Sequence, residues 1–237
     1  MRLISWNCQM AFRKKLATIL SNNPDILIVP ESEQPTKVDF ERENFECFSS
    51  VWIGDNPSKG LGIYSFNKYT VRLHDSYTDK FKYIAPIEVT YNDSRFIIIA
   101  VWAMPCKIDR NQRYIGQVYR ALEFYSNLIN KDTILVGDFN WNLSFDKDKK
   151  TENFKDVVNF LSKKNMVSLY HHNSGEDFGY ESKDTFFMQK KANKGYHIDY
   201  CCVGKRWLEN KIKFGVENFL EWSKMSDHVP IIFESCG

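Results

Sequence analysis

The sequence predicts an α/β protein built from two packed, mostly antiparallel β-sheets with helices on their outer faces. Three observations carry this. Nine strand-like runs rich in Val, Ile and aromatic residues outnumber three helix-like stripes, and the stripes fall between the runs. Most runs are bounded by Gly, Pro, Asn or Asp, the residues that terminate strands. One run, Phe96–Ala103, is apolar with almost no alternation, which requires cover on both of its faces. The chain has 237 residues, no Gly/Ser- or Pro-rich linker and no internal repeat, so a single domain over residues 1–237 is expected.

In chain order the strand runs are Arg2–Trp6, Ile26–Pro30, Phe45–Trp52, Gly62–Phe66, Tyr83–Val89, Phe96–Ala103, Thr133–Val136, His197–Val203 and Val229–Phe233. Asn92-Asp93 separates two of them and reads as a hairpin turn. Phe12, Leu16, Ile19 and Leu20 make the first helical stripe, which Asn22-Asn23-Pro24 ends. Ile115, Val118, Leu122, Tyr125 and Ile129 make a longer second stripe, and Phe154, Val157, Val158 and Leu161 the third. Hydrophobic residues are 43% of the chain, which is ordinary, whereas the 15% of aromatics supports a substantial core and stacking surfaces.

A net charge of +2 and a pI near 8.1 are too mild to announce a nucleic-acid binder. Lysines do gather, at Lys147, Lys149 and Lys150, at Lys190, Lys191 and Lys194, and at Lys205, Lys211 and Lys213 beside Arg206. These groups read either as solvated surface or as a track for phosphates. The longest apolar run, Phe96–Met104, falls far short of the roughly 20 residues of a spanning helix, so no membrane partner is expected. The strand at Arg2–Trp6 leaves no room for a signal peptide, and nothing in the sequence points to a protein partner. Six cysteines show no CxxC spacing, and adjacent Cys201 and Cys202 would point to opposite faces of a strand. Reduced thiols and a cytoplasmic location are expected.

Chemistry concentrates in two short runs. Gly137-Asp138-Phe139-Asn140 follows an apolar strand, and Ser226-Asp227-His228-Val229-Pro230 leads into one. A strand end holds such groups rigidly at the edge of a sheet, where a metal and a phosphate are gripped together. Asp138 and Asn140, two apart in an extended segment, would face the same way, with Phe139 turned to the core. Glu31 closes the run Ile26–Pro30, and Asn7 closes the first strand and would lie beside it if those strands pair. Glu31 alone also reads as a plain surface charge, Asp-Phe-Asn as a turn, and His228 as a satisfied surface histidine.

Four further pieces occur in the same order: Ser5-Trp6-Asn7, Pro24-Asp25-Ile26 with Pro30-Glu31, Gly60-Leu61-Gly62-Ile63-Tyr64-Ser65, and Thr185-Phe186 with His197-Ile198-Asp199-Tyr200. From Met1 to about Phe233 the chain resembles the endonuclease/exonuclease/phosphatase superfamily. The resemblance implies a four-layer α/β sandwich with its site at one edge of the sheets. It implies Asn7, Glu31 and Asp227 as oxygen ligands for Mg²⁺ or Mn²⁺, which hard donors suit. It further implies Asp138 directing the attacking water, Asn140 on a phosphate oxygen, and Asp199 orienting His228. Phe186, Tyr196 and Ile198 match positions that line a substrate pocket in the abasic-site branch, and read otherwise as core. His197 reads as structural and would share the strand face of Asp199.

One part of the pattern is missing. Relatives of the deoxyribonuclease I type carry a His–Glu pair that acts as an acid on the leaving group. Trp102 and Ala85 stand at those positions here, and the abasic-site branch's Tyr would fall on Ala103. Lys107, Arg110, Arg113 and Tyr114 in the following loop are the available substitutes. The activity expected is Mg²⁺-dependent hydrolysis of phosphodiesters in nucleic acid, with DNA favoured over RNA. The alternatives are a phosphatase or diesterase for a small molecule or lipid headgroup, and an inactive nucleic-acid-binding module.

Overall fold

The computed structural model describes residues 1–106 and 109–236. Fourteen strands form: β1 (Arg2–Ser5), β2 (Ile26–Ser32), β3 (Ser49–Asn56), β4 (Lys59–Ser65), β5 (Thr70–Leu73), β6 (Ile84–Tyr91), β7 (Ser94–Trp102), β8 (Ile134–Asp138), β9 (Met166–Ser168), β10 (Phe186–Phe187), β11 (Gly195–Tyr196), β12 (Asp199–Gly204), β13 (Lys211–Val216) and β14 (Ile231–Cys236). The helices are α1 (Leu16–Leu20), α2 (Ile115–Phe124), α3 (Phe154–Lys163), α4 (Leu169–Ser174) and α5 (Phe219–Trp222). Two six-stranded sheets result, ordered β13-β14-β1-β2-β4-β3 and β5-β6-β7-β8-β12-β9, beside the small β10-β11 pair. Neighbours run antiparallel except for β1 with β2 and β7 with β8.

Strand alternation sorts the side chains into layers. Leu3, Ile26 and Ile28 of the first sheet meet Ile98, Ala100, Ile134, Val136, Cys201 and Val203 of the second in one buried core. The opposite faces of the second sheet's strands, through Ile99, Val101, Leu135, Tyr200 and Cys202, cover α2 and α3. Ile4, Leu27 and Val29 cover α1 and its neighbours on the outside of the first sheet. The four-layer α/β sandwich is therefore the observed architecture, and β7 is apolar on both faces because it is covered on both. Cys201 and Cys202 divide between the two cores in the same way.

Several boundaries differ from expectation for local reasons. The first helical stripe breaks into a 3₁₀ turn, Phe12–Lys14, and α1, because Lys15 leaves helical geometry at φ −123°, ψ 3°. The second ends at Phe124, and Tyr125 leads into a separate 3₁₀ turn over Ser126–Leu128. Phe45 does not pair in a strand. Its ring packs edge-on against Phe66 at 5.8 Å, and β3 begins only at Ser49. His197 precedes β12 and does not share a strand face with Asp199. Its ring lies 4.4 Å from Tyr170 and 5.0 Å from Tyr200. Among the described residues no helix is long and apolar enough to cross a membrane.

One glycine is dictated by packing. Gly137 sits in β8 at φ +142°, and a Cβ there would stand 2.0 Å from the carbonyl oxygen of Val101 in β7. Gly137→Ala should cost about 3 kcal/mol, the order of a strained backbone combined with a clash. Gly215→Ala in edge strand β13, where nothing lies within 4 Å, should change stability by less than about 1 kcal/mol. Urea denaturation of both variants checks the contrast. Equal midpoints would remove the packing argument.

Candidate functional site

The chemistry-bearing residues collect where the two sheets meet at one end of the sandwich. β1 and β2 run parallel, so their C-terminal ends are neighbours, and the amide of Cys8 donates to the Pro30 carbonyl at 3.1 Å. Asn7 therefore emerges beside Glu31. In the other sheet Asp138 ends β8 directly opposite Asp199, the first residue of β12. Both lie in phase with the strand positions that face the intersheet core. His228 arrives from the segment before β14 and closes the site from the first sheet's side.

Asp138 is fully buried, with a relative exposure of 0%. Its Oδ1 accepts from the Asn140 amide at 2.8 Å. Its Oδ2 accepts from Asn7 Nδ2 at 2.9 Å and from Asn140 Nδ2 at 3.0 Å. Asn140 reaches back in this way because it adopts a left-handed conformation, φ 51°, not the extended one its spacing suggested. Its second amide hydrogen goes to the Ala103 carbonyl at 3.0 Å, so both are engaged in fixing Asp138 to the segment that follows β7.

His228 Nδ1 donates to Asp199 Oδ2 at 2.9 Å, and its Nε2 lies 3.9 Å from Asp138 Oδ2. Burial works against the charged imidazole, yet the carboxylates of Asp199 and Asp138 outweigh it and raise its pKa to about 9. Burial raises the Asp138 carboxyl to about 7, against the opposing pull of His228. The backbone around the pair is stitched to both chain ends. Ser226 Oγ donates to the Asn7 carbonyl at 2.7 Å, Trp6 Nε1 to the His228 carbonyl at 3.0 Å, and Thr185 Oγ1 receives the amides of Ile198 and Asp199 at 3.0 Å.

Asp138, Asp199 and His228 bring one potential ligand atom each within 4.8 Å of one another. The hydrogen bonds from His228 to Asp199 and from Asn7 and Asn140 to Asp138 tie these three residues into one buried network. The hard oxygen donors lie beside it. Glu31 is the extra residue of a bulge between Pro30 and Ser32 of β2, at φ 64°, which turns its carboxylate out of the ladder. It pairs with Lys59 at 3.3 Å. Half-buried Lys15 donates to the carbonyls of Cys8 and Gln9 and feels the charge of Glu31 and Asp227; burial lowers its pKa. Among the described residues Asn7 Oδ1 accepts only the Gln9 amide, at 3.0 Å, and keeps a second lone pair. Two carboxylates and an amide oxygen, balanced here by two lysines, have the chemistry of a hard divalent-cation site.

Lys15 and Lys59 were not singled out in the sequence, because neither sits in a motif and only the tertiary fold brings them to Glu31. Phe186 stands with its ring 4.8 Å from that of His228, and Tyr196 is its register partner across β10 and β11. Ile198 and Ala103 are buried in the core. Trp102 is the register partner of Asp138 but packs into the intersheet core beside Tyr83, and Ala85 faces Ala100 in the same core, so neither offers an acid. Arg113 is exposed and donates to the Cys106 carbonyl at 2.9 Å, while Tyr114 immediately precedes α2. Lys107 and the side chain of Arg110 lie outside the described residues.

A family model described as Endonuclease/Exonuclease/phosphatase family matches residues 4–228. No curated protein sequence matches the chain at a significant level. Among solved structures, the 3′-5′ exonuclease NExo from Neisseria meningitidis superposes with a TM-score of 0.72 at 20% identity, covering 100% of both chains. A second Neisseria NExo structure, described as a 3′ phosphatase bound to product DNA hairpin, gives 0.71 at 20% identity with the same coverage. An AP endonuclease from Archaeoglobus fulgidus gives 0.73 at 18%, again covering 100% of both chains. The chain is a phosphate-ester hydrolase and belongs to the endonuclease/exonuclease/phosphatase family.

Proposed function

We propose that this protein is a divalent-metal-dependent phosphodiesterase that hydrolyses nucleic acid, DNA in preference to RNA, in a reducing, cytoplasmic compartment. The observation that carries the reading is the buried Asp138, fixed by Asn7 and Asn140 and set 3.9 Å from a histidine that a second aspartate orients. The DNA product held by the Neisseria relative supports the substrate class.

Asp138 orients the attacking water and takes its proton. Burial raises that carboxyl above the ordinary carboxylate range, which strengthens it as a proton acceptor. Asp199 holds His228 in its protonated form, so that Nε2–H donates to a phosphate oxygen as negative charge builds on it. Asn140 holds Asp138 in place. Asn7, Glu31 and Asp227 bind Mg²⁺ or Mn²⁺, which when bound supplies Lewis-acid stabilisation of the phosphoryl oxygens. Phe186 and Tyr196 contact the substrate beside His228.

Hydrolysis of an oligonucleotide should be lost in EDTA, and Glu31→Gln should lower kcat/KM by about 100- to 1000-fold, as removal of one electrostatic stabiliser does. Steady-state rates across a Mg²⁺ titration check this; full activity in EDTA would overturn the proposal.

The dyad has its own signature. With Asp199 removed, burial is left to act on His228 with less compensation, so Asp199→Asn should move the ring pKa down from about 9. The protonated fraction would then fall at lower pH, and the alkaline limb of the rate profile would move the same way. NMR titration of His228 in the metal-free wild type and variant reads the shift directly, and superimposable curves would remove Asp199 from the role.

With Trp102 and Ala85 offering no proton, charge on the departing oxygen is felt in full. Rates on a series of diesters should fall steeply as leaving-group pKa rises. A shallow dependence in the wild type that steepens in Tyr114→Phe would instead assign the proton to that loop hydroxyl.

A further inference from the structure

A chain of aromatic rings leads away from His228 over the surface. Phe186, 4.8 Å from His228, is paired in register with Tyr196. Tyr196 meets Phe145 edge-on at 5.1 Å, Phe145 meets Trp141 at 5.8 Å, and Trp141 lies 6.3 Å from Tyr114. All five are half-buried. Phe186, Tyr196 and Phe145 belong to none of the three buried cores, and Trp141 and Tyr114 pack against the outer core of the second sheet from its margin. Five solvent-reached rings thus run together, and three of them serve no core.

Two features show that the run is held in place. Trp141 Nε1 donates to Asp146 at 2.8 Å, and Asp146 also accepts the first two amides of α3 at 3.0 Å, which fixes the indole to a rigid helix end. Tyr114 is kept at φ 47°, ψ −111°, a region hostile to a tyrosine, with its amide bonded to the Met104 carbonyl at 2.9 Å. Cations flank the rings: Arg113 precedes Tyr114, and exposed Lys147 and Lys150 and half-buried Lys149 follow Phe145.

We propose that Phe186, Tyr196, Phe145, Trp141 and Tyr114 form a track on which successive unpaired bases of a single-stranded nucleic acid stack as its backbone leaves the reaction centre. The inference rests on the phosphodiesterase reading and narrows its substrate to an unpaired strand. Rings interleaved with cations suit such a ligand, because every base has a stacking face while the lysines and arginine follow the phosphates. A duplex presents its base faces to one another and gains nothing from the rings.

The test compares two labelled strands of roughly ten units, oligothymidylate and a base-free tetrahydrofuran strand of equal charge, by fluorescence anisotropy in EDTA. The wild type should bind the base-containing strand at least about tenfold more tightly, and more tightly than a blunt duplex of the same length. Phe145→Ala should reduce that preference by about tenfold, and Phe145→Tyr should restore it. Equal binding of the two wild-type strands, a measurement that needs no variant, would overturn the track, as would an unchanged preference in Phe145→Ala. Cleavage of the same strands with Mg²⁺ separates the two readings. Base-dependent binding without cleavage would keep the track and remove the phosphodiesterase; cleavage with base-independent binding would do the reverse.

Discussion

The structure depends on one carboxylate that has been taken out of water. Asp138 has no solvent of its own, and an uncompensated buried charge would cost several kcal/mol. Its compensation comes from both sheets at once: Asn7 from the first, and Asn140, itself tied to the carbonyl of Ala103 just after β7, from the second. His228 and Asp199 repeat the arrangement, one residue contributed by each sheet. The spacing of the sheets and the geometry of the site are therefore the same quantity. Changes in volume at intersheet positions such as Ala85, Ala100 or Trp102 would be transmitted to Asp138 as well as to stability.

Strain gathers around this junction. Gln9, Met10 and Ala11 are left-handed in succession at φ 52°, 63° and 51°, starting two residues after Asn7. Glu31 and Asn140 share that conformation at 64° and 51°. Such residues cost roughly 1–2 kcal/mol each, and none of them is a glycine. Three of them have a local purpose: Gln9 offers its amide to Asn7 Oδ1, the bulge at Glu31 turns a carboxylate out of the ladder, and the turn at Asn140 returns two donors to Asp138. The hydrogen bonds of the site sustain conformations that propensity alone disfavours.

That strain also marks the limit of what the sequence reveals. The two-sheet class was legible because strand periodicity is a local property, and Phe96–Ala103 announced its double cover by lacking alternation. The short motifs at Asp138 and His228 were legible because they join acids to apolar strands. Strands of two or three residues such as β10 and β11 were not, since so few residues carry no period, and β13, which alternates, sits among charged residues on a sheet edge. The face of Asn140 was misjudged because alternation assumes extended backbone, and His197 was misjudged because it lies just outside the strand. Lys15 and Lys59 had no local signal at all; only chain folding across 16 and 28 residues brings them to Glu31.

The site also draws on opposite ends of the chain, since Asn7 follows the first strand and His228 precedes the last, with β14 lying against β1. No piece of this polypeptide that lacks either Asn7 or His228 holds Asp138 and His228 together with their partners. During synthesis the reaction centre stays unassembled until residue 228 has emerged and docked against the first strand. A growing chain thus carries its own latency, and opening the sandwich separates the residues that the site joins.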